Sequence, residues 1–462
     1  MKTLLRKHLG TAICACALTL APTQLFAQAE NSFVHEQSAE DGYEWPTDPL
    51  VLKKLDEWRD LKFGAIIHWG LYSVPGIVES WNLCDEDWIN RGSDLDYEDW
   101  KKWYWGISKD FAPKDFNPDQ WADMMKDAGM KYMIFTTKHH DGFCMFDTKQ
   151  TDFSIANFAF KNDPRRDVAK NVFDAFRKKD FMIGCYFSKP DWHCKWFWNP
   201  QHSTPTRMQN YKRNQHPDWW NNYVAFTQRQ LNELTTNYGD LDILWLDGGW
   251  VSGEEIGLDS LLVEARKRHP GLISVDRAIK GRNENYQTPE RGVPDHQLNY
   301  PWESCITLSH SWAWAPGAHY KSSMWVVNTL AEIVAKGGCF VLGIGPDKNG
   351  VYDPAIPKVL AGVGDWLRRY GTAIYATRTV KQYHDGDIWF TGSKDCKKIY
   401  AIYCLKDDAE MPQTISWKGN VPSKSVKLVS NGKKVKYTKK GDVVTVTLPK
   451  GMKKESFALE IQ

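Results

Sequence analysis

Short apolar runs recur along most of the chain, at residues 63–67, 132–136, 181–187, 243–246, 272–275, 305–308 and 339–344. Segments with one apolar face at helical spacing lie between several of them, at 118–128, 168–178, 220–238, 254–268 and 324–336. Apolar strands alternating with helices predict a parallel sheet buried on both faces. Each run stops at or beside a polar residue or a glycine: His68, His139-His140, Ser188, Asp247, Asp276-Arg277, Ser309-His310 and Gly345. In an α/β barrel the catalytic groups gather at the C-terminal ends of the strands. A doubly wound open sheet obeys the same rule, but no G-x-G-x-x-G follows an early strand here. The expected fold over 45–377 is therefore a (β/α)8-like barrel.

After residue 377 the period shortens. Strand candidates at 387–391, 398–405, 414–417, 425–429, 435–438, 443–448 and 457–461 are separated by turns such as Asn431-Gly432 and Gly441-Asp442. They predict a C-terminal antiparallel β-sandwich over 378–462. Between Lys418 and Lys454 it carries eleven lysines against Asp442 alone. Such lysines guard exposed strand edges, or offer a face to an anionic glycan.

At the other end Lys2, Arg6 and Lys7 precede an apolar run at 12–20, and Ala27-Gln28-Ala29 has the small residues of a cleavage site. The run falls short of the roughly 20 residues that span a bilayer. Residues 1–29 are expected to be a cleavable signal peptide and 30–44 a flexible leader, with the mature protein periplasmic or secreted. Removing three basic residues from 59, set against 57 acidic ones, takes the formal charge from +2 to about −1, so nucleic acid is not an expected partner. The remaining cysteines show no C-x-x-C pair, so neither a zinc site nor a disulfide framework is signalled. Cys396 and Cys404 flank neighbouring strand candidates, and an oxidising compartment could bridge them.

Tryptophan is the outlier, with 23 residues. Trp192, Trp196, Trp198, Trp219, Trp220, Trp245 and Trp250 crowd into one region, the first five among Asn, Gln, His and Pro. Aromatic faces mixed with amides and imidazoles suit sugars, although many of the tryptophans must be core. The pair His139-His140 follows a strand, and adjacent strand residues face opposite ways, so two metal ligands there would require the strand to have ended. With Lys138, Asp141 and His68 nearby in the pattern, polar recognition is the reading favoured over a metal. Asp247 ends the apolar strand in I-L-W-L-D-G-G-W, too far from the next helix to cap it, and its two glycines would admit a ligand. Splitting a glycosidic bond needs a second carboxyl group. Glu79, Asp141, Glu284, Glu290 and Glu303 are all candidates, and spacing does not choose among them.

From about Trp45 onward the chain resembles the α-L-fucosidases of glycoside hydrolase family 29. The resemblance rests on F-G-A-I-I-H-W-G, E-S-W, K-H-H-D-G-F, L-W-L-D-G-G-W, Asp276-Arg277, T-P-E, P-W-E-S-C, S-W-A-W and K-G-G-C-F-V-L-G-I-G-P before a G-D-W-L helix. It implies a barrel followed by a β-sandwich and a retaining exo-hydrolase without metal or organic cofactor. By the same resemblance Asp247 is the nucleophile and Glu290 the general acid/base. The sugar pocket it implies comprises His68, Trp81, His139, His140, Trp245, Arg277 and Trp312. Two positions depart from the family's habit: Gly343 stands where Asn is usual, and Ala313-Trp314 where Gly-Tyr often follows the tryptophan. The altered aromatic wall and the lysine-rich end keep an exo-α-L-galactosidase of algal galactans open as an alternative. A third, different reading is a glycan-binding protein on a retired barrel, against which two placed carboxylates argue. On every reading the partner is an oligosaccharide or glycan, and no membrane span is expected.

Overall fold

All seven apolar runs of the first part enter one parallel sheet in the computed structural model, which describes residues 42–462 apart from 205 and 396. The signal peptide, nearly all of the leader and Cys396 lie outside the described residues, and so does half of the expected Cys396–Cys404 pair. The strands are β1 Phe63–Ile67, β2 Tyr132–Lys138, β3 Met182–Ser188, β4 Ile243–Asp247, β5 Ile273–Asp276, β6 Glu303–Thr307 and β7 Cys339–Ile344. Their order is β5-β4-β3-β2-β1-β7-β6. Around them stand α1 Pro49–Leu61, α2 Tyr97–Gly106, α3 Pro118–Asp127, α4 Val168–Arg177, α5 Pro217–Asn237, α6 Leu258–Arg268, α7 Ser323–Ala335 and α8 Ala355–Tyr370. Several starts are fixed by side chains that accept an orphan backbone N–H: Asp48 for α1, Asn117 for α3, Asp167 for α4 and Ser322 for α7.

Alternation along each strand sorts its residues into two layers. Ile66, Ile134, Tyr186, Trp245, Val275, Cys305 and Val341, one or more from every strand, pack together inside the curled sheet. Their neighbours, among them Ile67, Phe135, Phe187, Leu246, Ile306 and Leu342, join the helices in a larger outer core. With both faces buried, each strand is apolar throughout, which is the pattern the sequence displays. Helix α1 closes one end of the inner core, where Trp58 stacks on Tyr286 at 4.2 Å and 9°. Such ring pairs add about 0.5–1.5 kcal/mol beyond their burial.

The ladder is open between β5 and β6. There residues 284–290 thread the gap, Glu284 bridging to Val275, Gln287 to Trp302 and Glu290 to Cys305.

Beyond the sheet the chain forms two antiparallel sheets. The first contains β8 Thr377–Arg378, β9 His384–Asp385, β10 Ile388–Ser393, β11 Ile399–Tyr403, β13 Val426–Leu428 and β16 Phe457–Ile461. The second contains β12 Thr414–Lys418, β14 Lys436–Lys440 and β15 Val443–Thr447. The β14–β15 hairpin turns at Gly441-Asp442, as expected. Strand β14 is an edge, and its three lysines lie exposed along it, as lysines that blunt an edge should. These sheets are tied to the helices by Trp366, which donates to the Ser456 carbonyl at 2.7 Å, and by Arg378, which pairs with Asp56 and Asp60 of α1 at 2.6 Å each. Among the described residues no helix is long and apolar enough to cross a membrane.

Candidate active site

Extending the inner-face alternation two residues past the inner core leads from Ile66 to His68, from Tyr186 to Ser188, from Trp245 to Asp247 and from Val275 to Arg277. The period of two thus delivers polar groups to one end of the curled sheet. Asp247 Oδ1 accepts a hydrogen bond from Arg277 Nη1 at 2.9 Å, and Oδ2 accepts one from the Tyr186 hydroxyl at 2.5 Å. The other terminal nitrogen of Arg277 donates to Glu290 Oε2. One guanidinium therefore holds two carboxylates whose side chains are 13% and 14% exposed. Burial alone would raise the Asp247 carboxyl. The facing Arg277 charge, with the hydrogen bond from the Tyr186 hydroxyl, outweighs it and holds the group well below the usual carboxylate range.

Strand β2 ends at Lys138, so His139 and His140 are free of the strand alternation. Their rings lie 4.2 Å apart and both look toward Asp247, with His140 Nε2 3.8 Å from Oδ2. Burial keeps His68 and His140 neutral far below the ordinary imidazole range and brings His139 down to about 4. The hydrogen-bond network assigns the tautomer of His140. Ser188 donates to the Pro190 carbonyl at 2.6 Å, so it can only accept from His140 Nδ1, also at 2.6 Å. His140 then presents Nε2 as an acceptor. Ser80 accepts the Asp141 amide at 3.0 Å and has its proton available for His139 Nδ1 at 2.6 Å. When Ser80 donates that proton, His139 presents Nε2–H as a donor. Neighbouring imidazoles offering one acceptor and one donor match a hydroxyl-bearing ligand. His139, His140 and Asp247 also place ligand atoms within 4.8 Å of one another, but the Arg277 charge on the same carboxylate opposes a cation there.

Aromatic rings wall the site. Trp312 lies 5.0 Å from His68, Trp81 and Trp250 lie 5.3 and 4.9 Å from His140, and Trp245 stacks on Tyr186 at 5.2 Å. Glu79 is buried as the anchor of the Trp312 loop, accepting the amides of Trp312 and Ala313 at 3.0 Å each. The glycine at 343 has its reason here, since a Cβ would sit 2.6 Å from the Trp312 ring. His68, Trp81, His139, His140, Trp245, Asp247, Arg277, Glu290 and Trp312 thus form one continuous cluster.

Several other expectations change. Lys138 turns inward to Asp191 at 3.0 Å, and Asp141 accepts from Tyr104 at 2.6 Å, so neither faces the site. Glu303 is fully buried beneath it, accepting from Tyr132 at 2.7 Å and Trp245 at 3.3 Å. Trp198 is buried in the core against Trp192, and of that crowded region Trp192, Trp245 and Trp250 adjoin the cluster, Trp192 lying 5.2 Å from His140. Nor is Gly248 spaced for a ligand, because it has φ +86° and a Cβ would meet the Pro190 ring. Sequence reasoning passed over Tyr186, Ser80 and Arg291. Parity would have found Tyr186, two positions before Ser188 on β3.

The family model described as alpha-L-fucosidase matches residues 30–372. Plasma alpha-L-fucosidase of Rattus norvegicus is 28% identical over 438 residues, covering 88% of this chain and 90% of its own. The alpha-L-fucosidase isoenzyme 1 structure from Paenibacillus thiaminolyticus superposes with TM-score 0.75 at 27% identity, over 89% of this chain and 99% of that one. The Thermotoga maritima alpha-fucosidase in complex with fucose gives 0.72 at 26%, over 91% and 100%. A shared fold and a family match over most of the described length lead to one conclusion: the chain belongs to the α-L-fucosidases, glycoside hydrolase family 29.

Proposed function

We propose that this α-L-fucosidase is an exported, retaining exo-hydrolase in which Asp247 is the nucleophile and Glu290 the general acid/base. Asp247 Oδ attacks the anomeric carbon of a terminal α-L-fucose while Glu290 gives its proton to the departing glycosidic oxygen. Water, deprotonated by Glu290, then cleaves the fucosyl ester, and Asp247 leaves as carboxylate. The observation that carries this reading is the single Arg277 guanidinium in contact with both carboxylates. Groups on one such fork are near neighbours, as a retaining pair about 5–5.5 Å apart must be. An incoming sugar hydroxyl takes Arg277 Nη2 off Glu290, freeing that carboxyl to carry a proton.

His139 as donor and His140 as acceptor orient the sugar hydroxyls, and Trp312 with His68 faces the exocyclic methyl group. The Thermotoga maritima relative, described in complex with fucose, supports fucose as the sugar bound. We further propose that residues 284–290 close the sheet as a (β/α)8-like barrel over 45–377 and that the two C-terminal sheets form a sandwich over 378–462. Export rests on the leader pattern and on the name of the plasma relative.

Proton NMR of the first product tests the proposal: α-L-fucose should appear before mutarotation, and Asp247→Ala should lower kcat on an aryl fucoside by roughly three decades or more. Initial β-L-fucose, or near-normal turnover by the variant, would rule it out. Parallel assays on aryl L-fucoside and aryl L-galactoside separate the proposal from the galactosidase alternative.

A further inference from the structure

Three arginines exert their charge on the pocket imidazoles: Arg277 and Arg291 on His68, Arg207 and Arg277 on His140. Two of them are neutralised in place. Arg277 holds Asp247 and Glu290, and Arg207 forms a two-nitrogen pair with Glu86. Arg291 differs. Among the described residues it pairs with no carboxylate; its guanidinium lies over the Trp312 ring, 5.5 Å from the centroid, and donates only to the His310 carbonyl at 3.2 Å.

Its backbone is also unusual. Arg291 has φ +53°, left-handed for a residue with a side chain, and its amide is pinned to the Cys305 carbonyl at 2.9 Å. Such conformations cost of order 1–3 kcal/mol and persist where the surroundings fix them. The chain thus holds a partly buried guanidinium, with most of its five donors unused by the protein, directly after Glu290 and over the Trp312 ring. A guanidinium fork of this kind matches the oxygens of a sulfate ester or carboxylate.

We propose that Arg291 is the docking point for an anionic group on the incoming glycan, so that this enzyme prefers acidic fucosylated substrates. The inference rests on the active-site reading above. In the bound state the acidic group supplies the counter-charge that the protein itself withholds, and Trp312 keeps the fork in place.

The test compares kcat/KM for a neutral fucosylated trisaccharide, its sulfated counterpart and its sialylated counterpart, in the wild type, Arg291→Gln and Arg291→Lys. The expected wild-type preference for an acidic substrate is about tenfold or more, the size of a charge-assisted hydrogen bond. It should shrink with added salt, fall to about unity in Arg291→Gln and survive in part in Arg291→Lys. The ratio is taken within each protein, so a general loss of activity cancels. Preference for one acidic substrate alone supports the proposal and names sulfate or carboxylate as the group read. A wild type that cleaves neutral and acidic substrates equally, or an Arg291→Gln ratio equal to the wild type's, overturns it. Failure of the wild type to cleave any fucoside, aryl fucoside included, overturns the active-site reading and this inference with it.

Discussion

The Tyr186 hydroxyl is the closest neutral group to Asp247, and it acts on the carboxylate in two ways. It stabilises the ionised form, and it is itself fixed by stacking on Trp245 and on His139. Tyr186→Phe keeps both stacks and deletes the hydrogen bond. Hydrogen bonds to charged groups are worth about 1.5–3 kcal/mol, so kcat on an aryl fucoside should fall about ten- to a hundredfold with a smaller change in KM. The Asp247 carboxyl should also titrate higher, which moves the acid limb of the pH–rate profile upward. A variant with unchanged kcat and acid limb would show that the Tyr186 contact is not used in the reaction. At this scale the sequence was informative where one residue ended an apolar run, as for His68 and Asp247. It was silent on the imidazole tautomers, because the serines that meet their Nδ1 atoms come from positions 80 and 188.

Elements differ in how far they follow from local pattern. The seven strands were legible because burial on both faces leaves an unbroken apolar run, and α3 to α7 were legible from a one-sided apolar face. Helices α1 and α2 were not among the expected helices, and α8 was expected only through the resemblance, as the helix carrying Gly364-Asp365-Trp366-Leu367. The buried face of α1 is only Val51, Leu55 and Trp58, and α2 buries just Trp100, Lys101 and Tyr104, too sparse to stand out in a window. The two-residue strands β8 and β9 carry no period at all. Strand β6 starts at Glu303 rather than 305, since a buried Glu at the start of an apolar run looks like the end of a loop. Strand β7 yields a prediction about its neighbour. Gly343→Ala would drive a methyl group into the Trp312 ring, and overpacking of this kind costs typically about 1–3 kcal/mol. Because the ring borders the pocket, KM for an aryl fucoside should rise several-fold while the melting temperature drops by a few degrees. A fall in stability with KM intact would place the ring outside substrate contact.

Across the whole molecule, the interior of the curled sheet stores a proton. Burial, opposed by hydrogen bonds from Tyr132 and Trp245, pushes the Glu303 carboxyl from 4.5 up to about 8. Between those values the folded protein binds a proton that the unfolded chain has lost. The associated stability is fully present below about 4.5 and disappears as pH rises to about 8. Glu303→Gln, which keeps shape and neutrality, should remove this slope, so its melting temperature should gain on the wild type as pH passes through that window. Parallel curves for the two proteins would contradict it.

The thread at 284–290 bears on how such a catalyst can be remade. Asp247 takes its position from a continuous ladder, whereas Glu290 rides a segment fastened by isolated bridges. Insertions just upstream, at 281–283, would re-aim the proposed proton donor while leaving the register under Asp247 alone. A directed-evolution library confined to those three positions is therefore a low-risk route to new leaving groups, and to glycan synthesis in place of hydrolysis.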